Sequence, residues 1–221
     1  MKKLTNWCLA LVLSLSLPAA AAARDYMEGA EYLRLAKPQP TTVADKVEVV
    51  ELFWYSCPHC YYLEPHIGKW LENKPEDVEF VRLPAVLGKS WELLGKAYFT
   101  AELLDVVELI HEPLFEAIHE KKQKFRDVAS VEDFFVSHGV AVKDFRNTFN
   151  SFAVAVKINN AKLMTRRYAI SGVPTVIVNG KFSTGASIAG SNEDVIKVVD
   201  YLVEQERAAD DASAQTTAAQ P

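Results

Sequence analysis

The stretch Val47-Glu48-Val49-Val50-Glu51-Leu52-Phe53-Trp54-Tyr55-Ser56-Cys57-Pro58-His59-Cys60 changes its pattern part-way along. Up to Trp54 it is β-branched and aromatic and reads as a largely buried strand. Beyond Cys57, Leu63, Ile67, Trp70 and Leu71 fall at helical spacing, so a strand runs directly into a helix. Pro58 suits the first helical position, where a missing N–H costs nothing. Pro65 lies inside the helix and is expected to kink it rather than end it, because the apolar period continues beyond. Val78 to Leu83 is a second strand, which makes a β-α-β unit with a parallel pair.

Downstream, from about Lys89 to Ile170, the pattern is helical throughout. The spacing predicts helices over Ser90 to Leu104, Val106 to Glu120, Val131 to His138, Val142 to Asn150 and Ser151 to Ala169. Ser130 with Asp133 resembles an N-terminal cap, and Gly139 suits the stop of the same helix. Strand character returns at Val173 to Val178. Asn179-Gly180 then supplies a two-residue hairpin turn into Lys181-Phe182-Ser183. Ser191 or Asn192 caps a final helix that carries Val195, Val198, Val199 and Leu202 on one face. Residues 208–221 have no period and are expected to be disordered.

The element order, with a Cys-x-x-Cys at the strand-to-helix junction, resembles an α/β thioredoxin-like fold with an inserted all-helical domain. On that resemblance, residues 24–84 and 151–207 form a discontinuous thioredoxin-like domain and residues 85–150 the insertion. The long helix from Ser151 then belongs to the thioredoxin-like half.

Of 221 residues, 49% are hydrophobic and 24% charged, which excludes wholesale disorder. The net charge of −5, with no basic stretch, argues against a nucleic-acid partner. Residues 1–23 differ in kind. Lys2 and Lys3 precede an apolar run from Trp7 to Leu17, and Pro18 breaks it before Ala21-Ala22-Ala23. The run is shorter than the roughly 20 residues a membrane span needs. It reads as a secretory signal peptide cleaved after Ala23. Cys8 precedes the apolar run rather than following it, which disfavours a lipoprotein signal. No later segment reaches spanning length, so the mature chain is expected to be soluble. Cleavage removes Cys8 and leaves Cys57 and Cys60 as one close pair in an exported, oxidising setting.

A disulfide across two intervening residues closes too small a loop to add much stability through chain entropy. Chemistry is the better reason for the pair. With Pro58 as first helical residue, Cys57 is the N-cap, and its sulfur faces the free N–H groups of His59 and Cys60 at the positive end of the helix dipole. His59 adds a cationic or donor group beside it. These neighbours favour a thiolate at Cys57, and Cys60, one turn in and shielded, is the resolving cysteine. A stable thiolate leaves easily and makes the pair an oxidant. Zinc would require two further ligands at recognisable spacing. A c-type haem requires His directly after the second cysteine, where this chain has Tyr61. An inert structural disulfide remains the plain alternative.

Pro174 starts an apolar strand, and X-Pro is the bond that readily takes the cis form. In thioredoxin-like folds a cis-proline precedes this strand and lies against the Cys-x-x-Cys. Pro174 is therefore expected to be cis, with Val173, Pro174 and Thr175 offering backbone to an extended substrate. Glu51 shares a strand face with Val49 and Phe53. It is either a carboxylate of raised pKa that relays the proton of Cys60 or a strand-edge residue reaching water. His66, His111, His119 and His138 lie in helical patterns and read as surface or packing residues.

Glu51 to Tyr61, the Val173-Pro174 dipeptide, Val178-Asn179-Gly180-Lys181 and the helical insertion together resemble the DsbA family of bacterial periplasmic disulfide-bond-forming proteins. Pro58-His59 is the most specific mark. The resemblance implies a periplasmic, monomeric thiol:disulfide interchange protein with no cofactor beyond a redox-active Cys57-Cys60 disulfide. It implies donation of that disulfide to reduced exported proteins through a mixed disulfide on Cys57, and reoxidation by a DsbB-like quinone-linked inner-membrane oxidase. Where some relatives place a lysine on the second strand near the buried acid, this sequence has only Arg82. The alternatives are a reductase or isomerase of the same fold and a peptide-binding chaperone with a structural disulfide. An isomerase of this kind usually carries an extra dimerisation domain, and Asp25 to Lys46 is too short to form one.

Overall fold

The structure, a computed structural model, describes residues 25–218. The expected signal peptide lies outside the described residues, as do positions 219–221. The elements in chain order are β1 (Leu33–Arg34), β2 (Val47–Phe53), α1 (Pro58–Leu71), β3 (Val78–Pro84), a single 3-10 turn (Lys89–Trp91), α2 (Glu92–Leu103), α3 (Val107–His119), α4 (Val128–Ser137), α5 (Val142–Phe149), α6 (Phe152–Arg167), β4 (Thr175–Val178), β5 (Phe182–Thr184), α7 (Ala186–Ala189) and α8 (Asn192–Ala218). The strands form one sheet in the order β1-β5-β4-β2-β3, in which β2 and β3 run parallel and the other pairs antiparallel.

β2 is buried along its whole length because both of its edges are paired and both of its faces are covered. One face carries Val47 and Val49, which pack with Leu63, Ile67 and Trp70 of α1 and Val195, Val198, Val199 and Leu202 of α8. On the other face Val50 and Leu52 meet Ala85, Tyr168 and Ile177, with Met164 of α6 against them. Burying each large aliphatic side chain contributes roughly 1.5–3 kcal/mol. The two clusters therefore fix β2, and with it the start of α1, from above and below. A third cluster joins Phe53, Tyr55, Cys57 and Cys60 to the helices α2 to α6. The helical block is thus packed directly against the strand-to-helix junction.

Several expectations change in detail. The hairpin has Asn179 and Gly180 at positive φ, as a mirror-image turn requires, but Val178 pairs with Phe182, so the connection holds one residue more than expected. α4 begins earlier than predicted. Asp127 is its N-cap and accepts from the Ser130 N–H at 2.9 Å, a capping box formed one turn ahead of the Ser130-Asp133 pair. β4 starts at Thr175 rather than Val173, after the proline that lacks a donor. β1, the 3-10 turn and α7 lack a periodic signal of their own. The largest difference is at the C-terminus, where α8 continues to Ala218 through the segment expected to be disordered from residue 208. The segment is rich in alanine and holds no Gly or Pro before its last residue. A helix already nucleated by a docked amphipathic half therefore propagates through it. Helix propensity, which needs no apolar period, accounts for the helix there.

Gly180 sits at φ +61, and a Cβ placed there would lie 2.1 Å from the Gln39 carbonyl oxygen. Gly68 lies within α1 and has nothing within 4 Å of such a Cβ. Gly180→Ala is expected to destabilise the protein by more than about 1 kcal/mol, whereas Gly68→Ala should stabilise it by about 0.5–1 kcal/mol. Paired denaturant midpoints check both signs.

Candidate active site

Cys57 is the N-cap of α1, in extended conformation at φ −86° and ψ 117°, with Pro58 at the first helical position. Pro58 and His59 are exposed, while Cys57 and Cys60 are buried free thiols. The Cys57 sulfur makes no complete hydrogen bond into the first turn. Its partner is the Val173 carbonyl oxygen, 3.4 Å away, which accepts from the thiol. The bond from Val173 to Pro174 is cis, as expected. Two motifs far apart in sequence are therefore in contact. Thr175 stands one residue further along, where its hydroxyl donates to the Gly172 carbonyl at 2.9 Å and its backbone pairs in register with Leu52.

The two sulfurs meet opposite conditions. The Cys57 pKa is lowered to about 6, first by the hydrogen bond offered by the Cys60 thiol. Burial opposes this, and the backbone N–H groups of Cys60 and His59 and the charge of His59 add to the lowering. Those N–H groups act as dipoles aimed at the sulfur rather than as formed capping bonds. The neighbour's thiol is the largest single contribution, and the sequence reading did not weigh it. Burial pushes the Cys60 thiol up, and the adjacent Cys57 pushes it further. One sulfur is prepared as an anion and the other is held as a thiol.

Beneath this pair lies a buried charged group. Glu51 is fully buried, so the strand-edge alternative is overturned: β2 is central, and no edge reaches water there. Its parallel register partner is Arg82 of β3, whose Nε lies 3.5 Å from Glu51 Oε2, too far and too poorly aligned for a hydrogen bond. Burial raises the Glu51 pKa well above the carboxylate range, the nearby Glu64 charge raises it further, and Arg82 opposes both. Glu64 of α1 takes Arg82 Nη2 on one oxygen at 3.0 Å and His111 Nε2 on the other at 3.1 Å. His111 Nδ1 in turn lies 2.8 Å from the Tyr55 hydroxyl.

Tyr55, Glu64 and His111 escaped the sequence reading as site residues. His111 belongs to this polar network rather than to simple packing. The available signal was its period: His111 lies four residues before Phe115, on the face that meets α1. His119, two turns on, bonds the Tyr55 carbonyl through Nε2 at 2.7 Å and stacks on Tyr61. Two histidines of α3 therefore hold both ends of the residue that leads into the Cys-x-x-Cys.

A five-stranded α/β sheet with a Cys-x-x-Cys at the head of its first long helix, facing a cis-proline turn, defines a thioredoxin-like thiol:disulfide oxidoreductase. A family model described as a DSBA-like thioredoxin domain matches residues 48–190. The chain is 45% identical over 190 residues to the thiol:disulfide interchange protein DsbA of Pseudomonas aeruginosa, spanning 86% of this chain and 90% of that one. It is 42% identical to the protein of the same name from Pseudomonas syringae pv. tomato, over 86% and 89% of the two chains. The crystal structure of Pseudomonas aeruginosa DsbA superposes with a TM-score of 0.81 at 43% identity, over 84% of this chain and 97% of that chain. The oxidoreductase DsbA from Xylella fastidiosa superposes at 0.77 with 33% identity, over 83% and 98%. The chain belongs to the DsbA family.

The two shifted thiols make the stability of the reduced protein depend on pH. Cys57 ionises near 6 when folded and near 8.5 when unfolded, so its contribution grows as pH rises from about 6 to about 8.5 and is absent below 6. Cys60 is raised when folded, so above about 8.5 it works in the opposite direction. The gain from Cys57 is at most roughly 3 kcal/mol, less whatever solvent screening remains at the sulfur. Denaturation midpoints of reduced minus oxidised protein should therefore rise from pH 5 to pH 8. A flat difference would contradict the assigned thiolate.

Proposed function

We propose that the protein is a dithiol oxidase that gives a Cys57-Cys60 disulfide to newly exported proteins. The observation that carries this reading is the unequal treatment of the two sulfurs, since a stabilised Cys57 anion favours the dithiol over the disulfide. A substrate thiolate attacks Cys57, the Cys57-Cys60 bond breaks, and Cys60 leaves with the electron pair. Cys60 is strongly disfavoured as an anion and takes a proton, for which Glu51 is the buried donor. A second substrate thiolate then attacks the substrate sulfur of the mixed disulfide, and Cys57 leaves as thiolate. Two electrons have passed to the protein, and the substrate holds the disulfide.

In this reading Cys57, Cys60, His59, Pro58 and Glu51 carry the chemistry. Val173, Pro174 and Thr175 present backbone to an extended client, and the Val173 carbonyl beside the sulfur supports that role. The cysteine pair is itself the redox group. The helical segment 85–150 is an inserted domain, and residues 24–84 with 151–207 form the thioredoxin-like domain. The protein works as a monomer in the periplasm after cleavage behind Ala23, and a DsbB-like quinone-linked oxidase of the inner membrane restores the disulfide.

Cys57→Ser is expected to abolish oxidation of a reduced unfolded protein, whereas a chaperone with a structural disulfide would retain its activity. Cys60→Ser should leave Cys57 able to form mixed disulfides that cannot resolve, so covalent client complexes accumulate on non-reducing gels. Absence of such complexes would overturn the roles given to the two cysteines.

A further inference from the structure

Two carboxylates below the cysteines share one cation. Arg82 lies between two carboxylates, Glu64 and Glu51, and serves them unequally: Glu64 receives a hydrogen bond at 3.0 Å, whereas Glu51 stands 3.5 Å away with neither oxygen hydrogen-bonded. The inequality has a visible cause. Glu64 Oε1 is bonded to His111 Nε2, so both of its oxygens have donors. His111 is itself fixed from the other side, because its Nδ1 faces the Tyr55 hydroxyl at 2.8 Å and its ring lies among Phe53, Tyr98 and Phe115. A neutral imidazole satisfies this geometry fully, with Nε2–H donating to Glu64 and Nδ1 accepting from Tyr55.

We propose that His111 is a positioning residue for the thiol chemistry: by holding Glu64 as the anion that takes the hydrogen bond of Arg82, it leaves Glu51 with a share of that cation but no hydrogen bond and keeps the proton on Glu51, ready for the departing Cys60 sulfur. The inference rests on the reading of Glu51 as proton donor to Cys60. Burial of His111 disfavours its own protonation against the pull of Glu64, in keeping with a neutral ring. The charged and titratable groups facing it are Tyr55 from the loop before α1, Glu64 from α1, Arg82 from β3, Tyr98 from α2 and Glu108 on its own helix. An open cleft of about 460 Å³ between α1 and α3, lined in part by Glu64, Arg82, Glu108 and His111, brings solvent to the outer side of this group. Glu51 lies behind it, fully buried.

The test is the pH dependence of disulfide transfer from the oxidised protein to a synthetic two-cysteine peptide, measured by acid quench and thiol labelling and corrected for the peptide's own ionisation. In the intact protein the rate falls on the alkaline side as Glu51 loses its proton. Glu64→Gln retains the size and an acceptor for His111 but frees Arg82 for Glu51, so the alkaline limb should move down by about one pH unit. His111→Leu should move it the same way, and Glu51→Gln should remove it. Should the histidine variant fail to fold, Glu64→Gln still decides, since its side chain lies at the cleft. A limb that disappears in Glu51→Gln but stays in place in Glu64→Gln and His111→Leu would overturn the role of His111 and leave Glu51 as donor. A limb unchanged in Glu51→Gln would overturn both.

Discussion

The contact between two thiols three positions apart at the head of a helix is the interaction on which the rest of the structure depends. Cys60 is buried one turn in, and its thiol makes the largest single contribution to the lowered pKa of Cys57, with the N–H groups of the helix start adding to it. The same burial keeps Cys60 from ionising. Neither effect would survive if the first turn of α1 could move relative to β2. Its position is held by the apolar contacts of Leu63 and Ile67 below, by the aromatic packing of Phe53 and Tyr55 alongside, and by the Val173 carbonyl across the gap.

The helical block contributes to this directly. α3 reaches over the junction and bonds Tyr55 at its hydroxyl through His111 and at its carbonyl through His119. It also supplies a donor to Glu64, the carboxylate that Arg82 hydrogen-bonds, whereas Glu51 has no hydrogen bond. A buried carboxyl with no hydrogen bond is costly, often by several kcal/mol if ionised, and is relieved by keeping its proton. In the proposed mechanism this is the proton that the Cys60 sulfur takes when its bond to Cys57 breaks.

Much of this was legible in the sequence. The strand-to-helix junction, the parallel pair and the five helices between β3 and β4 each follow from local pattern, because their apolar periods are strong, whereas the cis form of Pro174 followed from the resemblance to thioredoxin-like folds. Contacts between distant residues were not legible. Nothing local shows that Glu64 and His111 meet, since they lie on different helices, and Tyr55 reads as one more apolar residue. Glu51 stood evenly between two readings because strand alternation fixes its face, but only the pairing of β2 on both sides shows that no edge is exposed. At the C-terminus, apolar periodicity is blind to helix propensity, so an alanine-rich, helix-forming segment without an apolar period looked disordered.

Titrating the Cys57 thiolate by its ultraviolet absorbance in the reduced protein, with Cys57→Ser as the blank, tests the central claim most directly. A single transition near pH 6 is expected. A transition at about 8.5, the value of an ordinary thiol, would mean that the outer sulfur gains nothing from its surroundings and would contradict the account.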